Sequence, residues 1–213
     1  VVWARDDEGE IQGFIVEKGT RGFSAPLIKG KLSLRASVTS ELVLEEVRVP
    51  DSNKLPRGRG LKAALMPLTQ ARYSIAWGAV GSAMACFEEA LNYSKDRIQF
   101  EKPIASFQLT QQKLADMLTE LTKAQLLVYH LGRLAENGKM RYTHVALAKR
   151  NNVRNALEIA RMARSILGAN GISIEYQSMR HAMNLESVET YEGTYEIQTL
   201  ILGRDLTGIN AIN

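Results

Sequence analysis

Ala76-Trp77-Gly78-Ala79-Val80-Gly81-Ser82-Ala83-Met84-Ala85 is the stretch that decides the fold. It lies inside a run of period 3.6 that predicts one helix from about Leu61 to Arg97. An isolated helix would not need so many small residues. Small side chains let neighbouring helices come close, so this helix is expected to pack along most of its length. Pro67 falls near its start and is expected to kink it.

Downstream the same period continues. A loop from Ile98 to Phe107 carries Pro103. A second helix is predicted from about Gln108 to Glu136, with Leu114, Met117, Leu118, Leu121, Val128 and Leu131 on one stripe. Asn137-Gly138 ends it with a pair that tolerates the left-handed conformation. A third helix spans about Thr143 to Leu167 and stops at Gly168. A short helical piece follows around Tyr176 to Leu185. A last helix starts after Thr194, an N-cap residue, and runs to about Leu206.

Upstream the pattern is β. Val1 to Arg5, Ile11 to Glu17 and Glu41 to Val49 are strand-like runs with partial alternation, and the Asp6 to Glu10 segment reads as a turn. Pro50 to Asn53 and Pro56 to Gly60 read as a break and a linker. The chain is thus mainly α, an up-down bundle of long helices preceded by a β segment.

The chain has 213 residues, 45% hydrophobic and 23% charged, enough to bury a large core. No run is long enough to span a membrane. The single cysteine, Cys86, excludes an internal disulfide, and its apolar neighbours suggest a buried, inert thiol. The net charge of +4 suits a polyanionic ligand such as a nucleotide without requiring one. A nucleic-acid binder would show a denser basic stripe with stacking aromatics. Arg150, Arg154, Arg161 and Arg164 fall on one side of the third helix with Glu158 among them, which reads as a solvated or subunit-contact face. His130, His144 and His181 lack metal-ligand spacing. Neither a phosphate loop nor a GxSxG elbow is present. The opening Val1-Val2-Trp3 reads as the start of a fragment or processed piece.

Three places carry chemistry. Tyr191-Glu192-Gly193-Thr194 sets a carboxylate between an aromatic ring and a glycine, where a substrate can approach the backbone and a placed carboxylate can act as a base. Gly168-Ala169-Asn170-Gly171 is a helix end that could also admit a flat or anionic ligand. Arg97, with Phe100 and Gln108 around the Pro103 loop, could clamp a pyrophosphate or simply meet the helix dipole.

Together these segments resemble the acyl-CoA dehydrogenase family. Arg97 to Gln108 resembles its RxQFGxPIxxxQ segment, Leu167 to Ile172 its LGGNGI turn, Tyr191 to Thr194 its YEGT segment and Lys31 to Ser37 its KxGxRxS segment. They occur in the family's order and cover essentially the whole chain. Ala71 to Gly78, Lys149 to Asn152, Arg180 to Glu186 and Leu202 to Ile209 are similar to the glutaryl-CoA dehydrogenase group.

The resemblance implies the end of an antiparallel β domain at residues 1–56 and a helical domain at 57–213. It implies FAD as cofactor, a short acyl-CoA as substrate, a homotetramer built as a dimer of dimers, and electron-transfer flavoprotein as acceptor. The location implied is cytoplasmic in a bacterium and the mitochondrial matrix in a eukaryote. Glu192 would remove the α-proton of the thioester while the β-hydrogen leaves as hydride to flavin N5. In the glutaryl group the product is decarboxylated to crotonyl-CoA. Arg72 would support the charge of Glu192. Leu65, Leu68, Thr69, Arg72, Tyr191 and Gly193 would line the substrate site. Arg97, Phe100, Gln108, Ser165, Ile166, Leu167, Gly168, Ala169, Thr194, Tyr195 and Glu196 would contact FAD, several across a subunit boundary.

Three residues depart from the family pattern. Glu101 stands where Gly is frequent. Ala169 replaces the second Gly of the turn, which would crowd a flavin unless its φ is negative. Glu196 stands where Gln or Asp is usual. The resemblance also implies that an N-terminal helical domain and part of the β domain lie outside this stretch, so that the stretch alone binds FAD and substrate poorly. Two alternatives remain open. One is a short-chain acyl-CoA oxidase. The other is a non-catalytic helical oligomerisation or binding module, which would need neither Glu192 nor Arg72.

Overall fold

The computed structural model describes residues 1–211. The chain divides into two compact units, Val1–Gln70 and the remainder from Ala71 onward.

In the first unit, β1 (Val2–Arg5), β2 (Ile11–Phe14) and β5 (Lys54–Arg59) form an antiparallel sheet in the order β1-β2-β5. The β1–β2 turn is held by Asp6, whose carboxylate accepts the backbone N–H groups of Glu8 and Glu10. β3 (Phe23–Ser24) pairs with β4 (Val43–Leu44). Three expectations are corrected. The long strand read over Glu41 to Val49 contracts to β4, and the one read to Glu17 ends at Phe14. The stretch read as a break and linker instead holds a turn of 3₁₀ helix at Asp51–Asn53 and the strand β5, which crosses residue 56. Pro56 and Gly58 argue against a strand only where both edges must donate. β5 lies at the edge of the sheet among the described residues, and Pro56 falls in the irregular stretch between its paired positions Lys54 and Arg59, so its missing N–H is tolerated.

The helix α1 (Gly60–Asp96) contains Pro67 and does not end there. A small hairpin, β6 (Ile98–Gln99) and β7 (Lys102–Pro103), follows. Its tip residues Phe100 and Glu101 both take left-handed backbone, at φ 51° and 65°, which is the geometry that suits Gly at position 101. Then come α2 (Gln108–Glu136), α3 (Tyr142–Ile166), α4 (Ser178–Thr190) and α5 (Tyr195–Thr207). Among the described residues, no helix is long and apolar enough to cross a membrane.

α3 is the central element of the second unit and packs against α2, α4 and α5. Its buried face alternates small and branched residues, Val145, Ala148, Ala156, Ile159, Ala160 and Ala163. These meet Ala76, Ala79, Val80 and Ala83 of α1 and Met117, Leu121, Ala124 and Val128 of α2 in one core. Cys86 is fully buried there, and burial pushes its thiol up to about 12. Asn152 of α3 donates from Nδ2 to the carbonyls of Ala76 and Ala124, tying three helices at one buried point.

α4 is longer than the piece read around Tyr176 to Leu185. Its ends are held by tertiary partners that local pattern does not reveal. At the start, the Glu89 carboxylate of α1 accepts the N–H groups of Gln177 and Ser178 and the Ser178 hydroxyl. Toward the end, Glu186 and Glu189 meet Arg161 at 2.9 Å and Arg154 at 3.4 Å. The arginine face of α3 is therefore a seam to α4 and α5 rather than a free stripe. Its exposed ion pairs contribute less than about 1 kcal/mol each.

Candidate active site

The segment Tyr191 to Thr194 joins α4 to α5. Thr194 caps α5 through its hydroxyl, which accepts the Ile197 N–H at 3.3 Å. The cap fixes where α5 starts, and so obliges the chain to reverse in the two residues before it. Glu192 does this at φ 58° and Gly193 at φ 87°. Left-handed backbone costs a non-glycine residue about 1–2 kcal/mol, so surrounding bonds must hold Glu192 there.

Those bonds run to three successive carbonyls. Arg72 Nε donates to the Glu192 carbonyl at 2.5 Å, and Gln198 Nε2 donates to the carbonyls of Glu192 at 3.2 Å and Gly193 at 3.0 Å. Lys149 Nζ donates to the carbonyls of Tyr191 and Gly193, each at 2.5 Å. The backbone is thus tied inward while the carboxylate is left over. Glu192 Oε2 is buried and has no hydrogen-bond partner among the described residues. Buried carboxylate oxygens are ordinarily satisfied, and an unsatisfied one keeps its capacity to accept a proton.

The charges around the turn are mutually perturbed. Burial lowers the Arg72 guanidinium, and the Glu192 carboxylate works against that fall. Burial raises the Tyr191 phenol, with Glu192 adding to the rise. Lys149 is only 2% exposed, and burial, reinforced by Arg72, brings its ammonium down to about 8. The folded value lies below the usual 10.5, so the unfolded chain binds more protons between the two. Stability relative to a Lys149→Met variant is therefore expected to rise as pH goes from about 8 to 10.5, by about 2–3 kcal/mol. Denaturant midpoints of both proteins across that range check it; a flat difference contradicts it.

The other expected site residues divide. Arg72, Tyr191, Glu192 and Gly193 come together at the turn. Arg72 reaches the main chain of Glu192, not its carboxylate. Leu65, Leu68 and Thr69 lie on the first half of α1, within the first unit. A cleft of about 270 Å³ brings Arg97 beside Ile166, Leu167, Gly168 and Ala169, with Tyr93, Gln99 and Asn170. Gly168 takes φ 62° and Ala169 is not left-handed, so the alanine brings no backbone strain to the turn. Ile166 and Leu167 are buried and offer a ligand only their backbone. Ser165 accepts a bond from Lys113 Nζ at 2.8 Å. Phe100 and Gln108 are exposed and do not line this cleft. The ring of Tyr195 is covered by the Arg150 guanidinium at 4.3 Å, and Glu196 is exposed on the first turn of α5. The arginine and open glycine turn of the cleft are a donor set that fits the anionic part of a dinucleotide.

Lys149 and Gln198 were not among the expected site residues. A signal for Lys149 exists: it shares the spacing Val145, Ala148, Asn152 and so falls on the buried face of α3, where an amine needs a reason to be.

Residues 58–207 match the family model for the acyl-CoA dehydrogenase C-terminal domain. The short-chain specific acyl-CoA dehydrogenase of Megasphaera elsdenii is 37% identical over 208 residues, covering 95% of this chain and 54% of that protein. A crystal structure of glutaryl-CoA dehydrogenase from Mycobacterium smegmatis is 58% identical with a TM-score of 0.98, covering 100% of this chain and 55% of the other. A glutaryl-CoA dehydrogenase from the same organism in complex with FADH2 is 50% identical with a TM-score of 0.97, with the same coverage of 100% and 55%. The chain spans about half the length of the curated relatives it matches. A match to the family model over most of the chain, on a fold whose α4–α5 turn buries a carboxylate oxygen without a hydrogen-bond partner among the described residues, places the chain in the acyl-CoA dehydrogenase family.

Proposed function

We propose that this chain is the C-terminal part of an FAD-dependent dehydrogenase acting on the α,β bond of a short acyl-CoA, glutaryl-CoA in the first instance. It comprises the end of a β domain, through β5, and the helical domain that begins with α1. The observation that carries the reading is the buried Glu192 Oε2, without a hydrogen-bond partner among the described residues, on a turn whose carbonyls at 191–193 are held by Arg72, Lys149 and Gln198. The identity of 58% to a glutaryl-CoA dehydrogenase across the whole chain supports the choice of substrate.

A thioester α-proton is weakly acidic, so its removal needs a placed base and a low-dielectric setting. Glu192 takes that proton on its free oxygen, and the C–H electron pair moves into the thioester. Arg72, held against the Glu192 main chain, keeps positive charge beside the carboxylate. Tyr191 and Gly193 flank it, and with Leu65, Leu68 and Thr69 they are assigned to the acyl-CoA side. Arg97 and the Ser165 to Ala169 turn, with Phe100, Gln108, Thr194, Tyr195 and Glu196, are assigned to FAD. Bound FAD would supply the two-electron acceptor for the β-hydrogen. With a γ-carboxylate on the substrate, loss of CO₂ leaves a carbanion equivalent, to which the acid form of Glu192 can return a proton.

Exposed apolar side chains on α2, Leu109, Leu118, Leu126 and Tyr129, suit a helical subunit contact, and we assign them to a homotetramer. Electron-transfer flavoprotein is the acceptor in this reading. The test uses the full-length, flavin-loaded enzyme under anaerobic conditions with glutaryl-CoA and butyryl-CoA. Flavin bleaching with release of crotonyl-CoA and CO₂ from glutaryl-CoA is the expected result. Bleaching by butyryl-CoA alone moves the substrate, peroxide formation in air moves the class to an oxidase, and no bleaching by either thioester overturns the reading.

A further inference from the structure

We propose that Lys149 is a positioning residue for the Glu192 base, acting as a two-pronged clamp on the backbone that carries it. The inference rests on the reading of Glu192 given above. Its ammonium sits between the carbonyls of the residues on either side of Glu192, donating to Tyr191 O and Gly193 O at 2.5 Å each. These two bonds span Glu192, whose left-handed backbone at φ 58° lacks the freedom of glycine. Lys149 comes from the first half of α3, the helix packed against α2, α4 and α5, so the clamp ties the turn to the central element of the unit.

The amine has no structural reason to be there. Among the buried described residues it is the one charged side chain, on a helix face shared with Val145, Ala148, Asn152 and Val153. Burying an ammonium is unfavourable unless it is fully bonded, and here the bonded partners are main-chain carbonyls rather than an acid. Gln198 and Arg72 hold the middle carbonyl from other directions. Lys149 alone grips both flanks, so it sets the rotation of the Glu192 peptide units and with it the direction in which the carboxylate projects. A neutral side chain of the same length would fill the space, leave the Tyr191 carbonyl without the Lys149 donor and leave the Gly193 carbonyl to Gln198 alone.

The experiment compares Lys149→Met, Lys149→Gln, Glu192→Gln and the Lys149→Met/Glu192→Gln double variant in the full-length, flavin-loaded enzyme. Three quantities are read: the rate of anaerobic flavin reduction by acyl-CoA, the Kd of a non-reacting acyl-CoA analogue, and hydrogen exchange of the amides at 191–194. Lys149→Met is expected to slow reduction about 30–100-fold, to change Kd less than threefold, and to speed exchange at the turn at least tenfold with α3 unaffected. In the Glu192→Gln background it is expected to add nothing to the loss. Lys149→Gln, which retains a shorter, neutral N–H donor group, should slow reduction about tenfold and serves if the Met variant does not fold. A loss below twofold in the folded variant, an equal effect in the Glu192→Gln background, or failure of both variants to fold overturns the clamp. A normal rate for Glu192→Gln alone instead removes the base reading on which it stands.

Discussion

Glu192→Gln in the full-length, flavin-loaded enzyme is expected to slow anaerobic flavin reduction by acyl-CoA by about 10⁴-fold. The amide keeps the size and the backbone of the residue but cannot accept the α-proton. The loss should fall on the chemical step. Binding of a thioester analogue should move little, because the turn is held by bonds to carbonyls that the substitution does not touch. Folding stability should hold or rise. Glu192 Oε2 has no partner among the described residues, so replacing the carboxylate by an amide removes a buried charge without breaking a bond. Stopped-flow reduction and a thermal melt on the same preparation separate the two effects. Reduction at the native rate would end the assignment of Glu192 as base. A slow variant that also melts early would point to a structural role.

The second large effect is expected from Gly193→Ala, about 2–4 kcal/mol of stability together with a loss of at least 100-fold in the reduction rate. Two independent features predict it. The backbone there sits at φ 87°, where an L side chain is strained. A Cβ would also lie 2.6 Å from Gln198 Nε2 and 3.2 Å from Arg72 Nη2. Both neighbours are donors to the Glu192 carbonyl, so relief of the clash must loosen the turn. Gly203→Ala in α5 is the control. Nothing lies within 4 Å of its Cβ, and alanine is the better helix former. It should leave activity alone and match or exceed the native stability. Equal melts for the two variants would show that the turn is not a strained, packed element.

The helices were legible because each presents an apolar stripe at the helical period over many turns, and small residues along Ala76 to Ala85 announce close packing. The bounds of α2 and α5 follow from Gln108 and from the Thr194 cap. β5 was not legible. Pro56 and Gly58 carry the local signature of a linker, and only pairing with β2 makes the stretch a strand. The end of α4 was misread for the same kind of reason, since Glu186 and Glu189 are held by arginines 25 and 35 residues earlier.

For the site, the order of the segments around Arg97, Gly168 and Glu192 was enough to name a family, a base and a cofactor. Residue types at short spacing determine that much, because caps, turns and helix faces are local. What holds Glu192 is not local. Its supports come from Arg72, Lys149 and Gln198, which lie 120, 43 and 6 residues away along the chain. Only the packing of α1, α3 and α5 around one turn turns an amine on a helix into a clamp. That packing also leaves Glu192 Oε2 buried without a hydrogen-bond partner among the described residues.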